Sequence, residues 1–112
     1  MTLVSDVTME TYEREIATAA VPVLMDFYAQ WCKPCKALAP ALEDVAREYG
    51  SSARVIKVDI DAQPELANRF GVRSVPTLVL VHAGQERQRV IGLVSRSHLA
   101  GMIERYVEPE RE

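Results

Sequence analysis

The chain has 112 residues, 48% of them apolar and 26% charged, which fits one folded domain and excludes a disordered chain. Its formal charge of −3 excludes a general nucleic-acid binder, and no apolar stretch approaches the roughly 20 residues that cross a bilayer. The opening Met1–Asp6 lacks the basic and long apolar segments of a secretory leader, so a cytoplasmic protein with no membrane role is expected.

In chain order, Leu3–Val7 predicts a strand and Met9, Tyr12 and Ile16 one face of a helix. Val21–Ala29 is almost continuously apolar, as is a strand covered on both faces in a parallel sheet. Cys35, Leu38, Ala39, Leu42, Ala46 and Tyr49 recur at helical spacing, and Gly50 is the expected stop. Arg54–Asp59 reads as a third strand, and Pro64 opens a short helix carrying Leu66 and Phe70 that closes at Gly71. Thr77–Val81 and a strand near Arg87–Ile91 form a hairpin across a turn at His82–Gln85. Leu99, Met102, Ile103, Tyr106 and Val107 form the stripe of a last helix, with Ser95 or Ser97 as its N-cap. The order βαβαβαββα gives an α/β fold, a central mixed sheet of about five strands flanked by about four helices. Residues 1–112 form one domain, with 108–112 expected as a frayed, charged tail.

The two cysteines stand in Cys32-Lys33-Pro34-Cys35. A disulfide between them closes almost no chain, and a zinc site needs about four ligands while His82 and His98 lie far off. The pair therefore points to chemistry of its own: CxxC beside a βαβ pattern is a redox signal. Cys32 follows a buried strand and opens a helix, where unpaired N–H groups and the dipole favour a thiolate. Pro34 suits a first turn and is expected to hold Lys33 out of the helical region. Cys35, one turn in on the apolar face, is expected to be the less accessible. Cys32 is then the nucleophile and Cys35 the resolving thiol. Lowering a thiol pKa from about 8.5 to about 7 raises thiolate at pH 7 about fifteen-fold but weakens the nucleophile about five-fold. The net gain of about three-fold leaves most of the rate to docking and to the waiting second thiol.

Asp26 lies within the apolar run, where a carboxylate either points outward at a strand end or is buried and must be neutralised or paired. Pro76 either starts the following strand or serves a local purpose there. Pro40 is expected to kink its helix. Asp59 and Asp61 read as a strand end and helix cap, and His82 and His98 as a turn and a helix-surface residue.

The segment Phe27-Tyr28-Ala29-Gln30-Trp31-Cys32-Lys33-Pro34-Cys35-Lys36 resembles the active site of the thioredoxin family, and the likeness extends through Pro40, Asp59-Ile60-Asp61, Val75-Pro76-Thr77, Gly84 and Gly92. The resemblance implies a thioredoxin fold and a monomeric protein-disulfide reductase with protein disulfide clients. It implies no bound cofactor or metal, and electrons supplied by thioredoxin reductase, an NADPH-dependent flavoenzyme. It further implies that Asp26 is buried behind the cysteines and assists proton transfer, with Lys57 as its partner, and that Pro76 is a cis-proline opposite them. Trp31, Lys33, Pro34, Ile60, Val75, Gly92 and Leu93 would form the docking surface. Lys33 replaces the usual glycine and Tyr28 a frequent tryptophan, and Pro34 resembles reductants more than oxidants. A specialised reductase or isomerase with few clients, or a non-enzymatic clamp, are the competing readings.

Overall fold

A computed structural model describes residues 3–107. It runs β1 (Ser5–Asp6), α1 (Met9–Tyr12), β2 (Val23–Tyr28), α2 (Lys33–Tyr49), β3 (Arg54–Asp59), α3 (Pro64–Arg69), β4 (Thr77–His82), β5 (Gln85–Ile91) and α4 (Arg96–Glu104). One five-stranded sheet has the order β1-β3-β2-β4-β5. β3 pairs in parallel with β1 and β2, while β4 is antiparallel to both β2 and β5. The expected α/β thioredoxin fold, with its mixed sheet and four helices, is the fold observed.

The apolar run needs two covers because β2 is the central strand. Alternation sends Val23, Met25 and Phe27 into one core, with Ile16 of the first helical segment and Leu66 of α3. Leu24 enters the other core, with Leu38, Leu42 and Val45 of α2 and Leu99 and Ile103 of α4. Asp26, two residues along from Leu24, therefore stands on the α2 side.

Several boundaries differ from expectation. The first strand shrinks to Ser5–Asp6, because the amides of Leu3 and Val4 donate to the Glu43 carboxylate of α2 instead of to a neighbouring strand. The first helix is α-helical for one turn only and continues as a π-helical Glu13–Ala17, which still buries Ile16. α4 stops at Glu104, so Tyr106 and Val107 pack on the core from beyond its end. Ser95 is its N-cap, accepting from the His98 amide at 3.1 Å. The β4–β5 turn takes only Ala83 and Gly84, both at positive φ, so β5 starts earlier than expected and His82 ends β4. α2 runs through Pro40, which is exposed. The tail read as frayed lies outside the described residues.

Thr8 closes a reciprocal cap on α1: its hydroxyl accepts from the Thr11 amide at 3.3 Å, and its amide donates to the Thr11 hydroxyl at 3.0 Å. Thr8→Ala is expected to lower stability by about 1 kcal/mol, read as a lower urea midpoint at unchanged slope. An unchanged midpoint would show that the cap carries no net stability.

Candidate active site

β2 ends at Tyr28, and the chain turns through Ala29–Trp31 to start α2, so residues 29–35 lie beyond the carboxyl ends of the parallel strands β2 and β3. This is where open α/β sheets place their sites. Cys32 is the N-cap of α2 with an extended backbone (φ −90°, ψ 109°), and its Sγ accepts from the Cys35 amide at 3.2 Å. A sulfur in this position receives the free N–H of a helix start and the positive end of its dipole, both of which favour a thiolate over a thiol. The two cysteines are joined as a disulfide, with Cα atoms 5.3 Å apart.

Two local expectations are corrected. Lys33 is the first residue of the helix, and the extended residue is Cys32, since the N-cap rather than the pre-proline position takes the non-helical backbone. Cys35 is not the less accessible cysteine: Cys32 is 4% and Cys35 5% exposed. In the disulfide both sulfurs share one small cluster with Ala29, against which Tyr28, Ile60 and Val75 pack. What distinguishes the two is their place on the helix.

Asp26 is 3% exposed, and its Oδ1 has no hydrogen-bond partner. Burial pushes its pKa up to about 7, against a smaller opposing pull from Lys57. The two are register neighbours on β2 and β3, but among the described residues no carboxylate lies within ion-pair distance of the Lys57 ammonium. The ammonium instead lies 5.5 Å from the centre of the Tyr28 ring. Asp26, Tyr28, Gln30, Cys35, Lys36 and Lys57 line a cavity of about 150 Å³, which brings the carboxyl, the ammonium and Cys35 to one space.

The Val75–Pro76 peptide is cis, and Pro76 is buried. Thr77 Oγ1 donates to the Ser74 carbonyl at 2.7 Å, and the Gly92 amide donates to the Pro76 carbonyl at 2.8 Å, which joins the segment before β4 to the end of β5. Around the cysteines Trp31 and Leu93 are 67% and 57% exposed. Lys33 and Pro34 are exposed, and Ile60, Val75 and Gly92 are half-buried. The structure thus brings Ile60 and Val75 against the cysteine pair and Gly92 against Pro76. Trp31 Nε1 donates to Asp61 Oδ2 at 2.9 Å, which fixes the ring's edge toward β3.

Asp59 ends β3 as expected, and its Oδ1 accepts from the amides of Asp61 and Ala62, but neither aspartate caps a helix: the N-cap of α3 is Gln63, and Asp61 accepts from Trp31. Among the described residues no three His, Cys, Asp or Glu gather as a metal site requires. His98 is exposed on α4. Two participants escaped the sequence reading. Ile91, 63% exposed beside Thr77, extends the apolar rim, and an apolar residue ending an edge strand before glycine was its signal. The Tyr28 hydroxyl donates to Asp6 Oδ1 at 2.8 Å, a contact across 22 positions that no local pattern announces.

The arrangement is a dithiol–disulfide couple at a helix start, with a buried acid behind it and an apolar rim in front. The Thioredoxin family model matches residues 3–105. A thioredoxin of Pyropia yezoensis is 40% identical over 93% of this chain and 97% of its own length. Thioredoxin 1 of Synechococcus elongatus is 36% identical over 96% of this chain and 100% of its own. Among solved structures, a mutant thioredoxin from Halobacterium salinarum superposes with a TM-score of 0.84 at 37% identity, covering 99% of this chain and 98% of that one.

Proposed function

Because this chain belongs to the thioredoxin family and is a thiol–disulfide oxidoreductase acting through Cys32 and Cys35, we propose a division of labour among the residues around that pair. The Cys32 thiolate attacks one sulfur of a client disulfide, forming a mixed disulfide and releasing the other client sulfur as a thiolate. Asp26 takes the proton of Cys35, whose sulfur then attacks Cys32. The Cys32–Cys35 disulfide forms, and the second client thiol leaves, so the client gains the two electrons that the pair loses. An acid with a pKa of about 7 is half ionised at neutral pH, as such a proton acceptor should be. Lys57 keeps its ionised form affordable.

Pro76, with Val75, offers the edge on which a client segment is held. Trp31, Ile60, Gly92, Leu93, Lys33 and Pro34 form the surrounding docking face. Clients are proteins carrying exposed disulfides, and a thioredoxin reductase, an NADPH-dependent flavoenzyme, returns the pair to the dithiol. We place this cycle in the cytoplasm, in a monomer. No helix among the described residues is long and apolar enough to cross a membrane.

The observation that carries this reading is the placement of Cys32 at the N-cap, accepting from the Cys35 amide, with Asp26 buried behind the pair. The test is insulin reduction with dithiothreitol as electron source. Catalytic amounts of the protein are expected to accelerate precipitation of the insulin B chain; precipitation at the dithiothreitol rate alone would overturn the reading.

Lys33 is expected to tune this site only slightly. An exposed charge at a helix start is worth about 0.3–1 kcal/mol toward the thiolate, or about 6–20 mV in a two-electron couple. Lys33→Gly should therefore make the protein more reducing by no more than about 20 mV, while slowing reduction of acidic disulfide peptides at low salt. A shift beyond about 40 mV, or an unchanged peptide preference, would contradict this.

A further inference from the structure

Lys57 stands in a row of three residues across the sheet. It is the register partner of Asp6 on β1 and of Asp26 on β2, so its side chain leaves the sheet with a carboxylate on either side. The two carboxylates are unlike. Asp26 is buried and faces the cavity shared with Cys35, whereas Asp6 is exposed. Tyr28 lies two residues beyond Asp26 on the same strand face. Its ring carries the Lys57 ammonium at 5.5 Å, and its hydroxyl donates to Asp6 at 2.8 Å. Burial, and then the bond to Asp6, push the pKa of that hydroxyl far up, so it stays a donor throughout the working range. A phenylalanine at position 28 could offer the ring but could not donate to Asp6.

We propose that Tyr28 and Asp6 are positioning residues for Lys57: Tyr28 supports the ammonium on its ring and occupies Asp6 with its hydroxyl, and so sets how much of the Lys57 charge reaches Asp26. An ammonium has one charge to share, and a carboxylate already accepting a hydrogen bond competes for it less. Replacing Asp6 with a neutral side chain leaves Lys57 wholly to Asp26 and eases its ionisation. Removing the Tyr28 hydroxyl frees Asp6 to draw Lys57 away and makes ionisation harder. The other groups facing Asp26 are Cys35 and Lys36 from α2, while Asp59 faces Tyr28 at the ends of β2 and β3; both substitutions leave these residues in place, and the Lys57→Met background separates their effects from that of Lys57.

This inference rests on the role given to Asp26 in proton transfer, but its test reads ionisation, not turnover. The carboxyl carbon of Asp26 is titrated by NMR in the reduced and the oxidised full-length protein, with Asp6→Asn and Tyr28→Phe each made alone and together with Lys57→Met. Asp6→Asn is expected to lower the Asp26 pKa by about half a pH unit, and Tyr28→Phe to raise it by a similar amount. With Lys57→Met present, both shifts should fall to less than half. The insulin-reduction pH profile should move with the titration. Shifts of equal size without Lys57, shifts of the same sign, or no shift would overturn the proposal. Titration shifts as expected with an unmoved pH profile would retain the control of Lys57 and instead count against Asp26 as the proton acceptor.

Discussion

Cys35→Ser is expected to turn the protein into a trap: incubated with oxidised insulin, it should accumulate as a mixed disulfide through Cys32. Cys32→Ser should accumulate none and reduce insulin no faster than the background. The asymmetry follows from position, because the two cysteine residues are almost equally buried. Cys32 is the N-cap, and its sulfur already accepts the Cys35 amide at 3.2 Å. Cys35 lies inside the first turn, where its own amide makes that bond, and it does not hold the N-cap position that collects the free N–H groups. A thiolate is therefore favoured at Cys32, and only the thiolate attacks. When Cys35 is absent, nothing within the protein can displace the bound client. Intact-mass spectra of the two variants after alkylation provide the comparison. Equal trapping by both would show that the helix start does not assign the roles.

Asp26→Asn is expected to strengthen the fold while slowing the resolving step, with an effect that depends on pH. The unfolded chain releases the Asp26 proton near 3.8, and the folded protein releases it near 7. Below 3.8 both states hold the proton and the carboxyl adds no pH-dependent term. Between the two values the folded state holds more protons, so raising the pH weakens the fold. Above 7 both states are ionised and the full penalty remains. A difference of about three pK units amounts to about 4 kcal/mol. The asparagine amide, itself buried with an unpaired oxygen or nitrogen, returns about 1–3 kcal/mol of that gain. The variant should therefore be about 1–3 kcal/mol more stable than the parent at pH 9 and no more stable at pH 4. Urea unfolding at both pH values measures this. Insulin reduction should slow by up to about 10²-fold at pH 8, where the lost base matters most. A stability difference that does not change between pH 4 and 9 would mean that Asp26 titrates alike in both states.

The features read most directly from sequence are those written in short stretches of chain. The apolar run Val21–Ala29 marks a strand covered on both faces, which is observed over Val23–Tyr28, and Arg54–Asp59 forms a strand with the ends its pattern predicts. The spacing of Cys32 and Cys35 and the helical repeat behind them placed the pair at a helix start. Where tertiary contacts override local preference, the local pattern misleads. Leu3 and Val4 have strand-like side chains, yet Glu43 on α2 captures their amides and shortens β1. The stripe through Tyr106 and Val107 is real as packing but not as helix, because the chain turns at Arg105 and still reaches the core. Asp26 was ambiguous by pattern alone. A strand end and a strand centre look the same until the register with Lys57 and Leu78 shows that covered strands lie on both sides. The bonds from Trp31 to Asp61 and from Tyr28 to Asp6 join residues 30 and 22 positions apart, and depend on which strands become neighbours. Aromatic and acidic residues marked these places as polar surface, and only the sheet order could pair them.

At the centre of this chemistry the Cys32–Cys35 pair hands two electrons to a protein disulfide. The most direct measurement mixes the pre-reduced protein, freed of other thiols, with oxidised insulin, and counts both thiols and disulfides by alkylation and peptide mapping. One insulin disulfide should open for each molecule that becomes oxidised, with the oxidised form carrying the Cys32–Cys35 bond seen in the structure. Insulin left oxidised beside a protein that keeps both thiols reduced would contradict it.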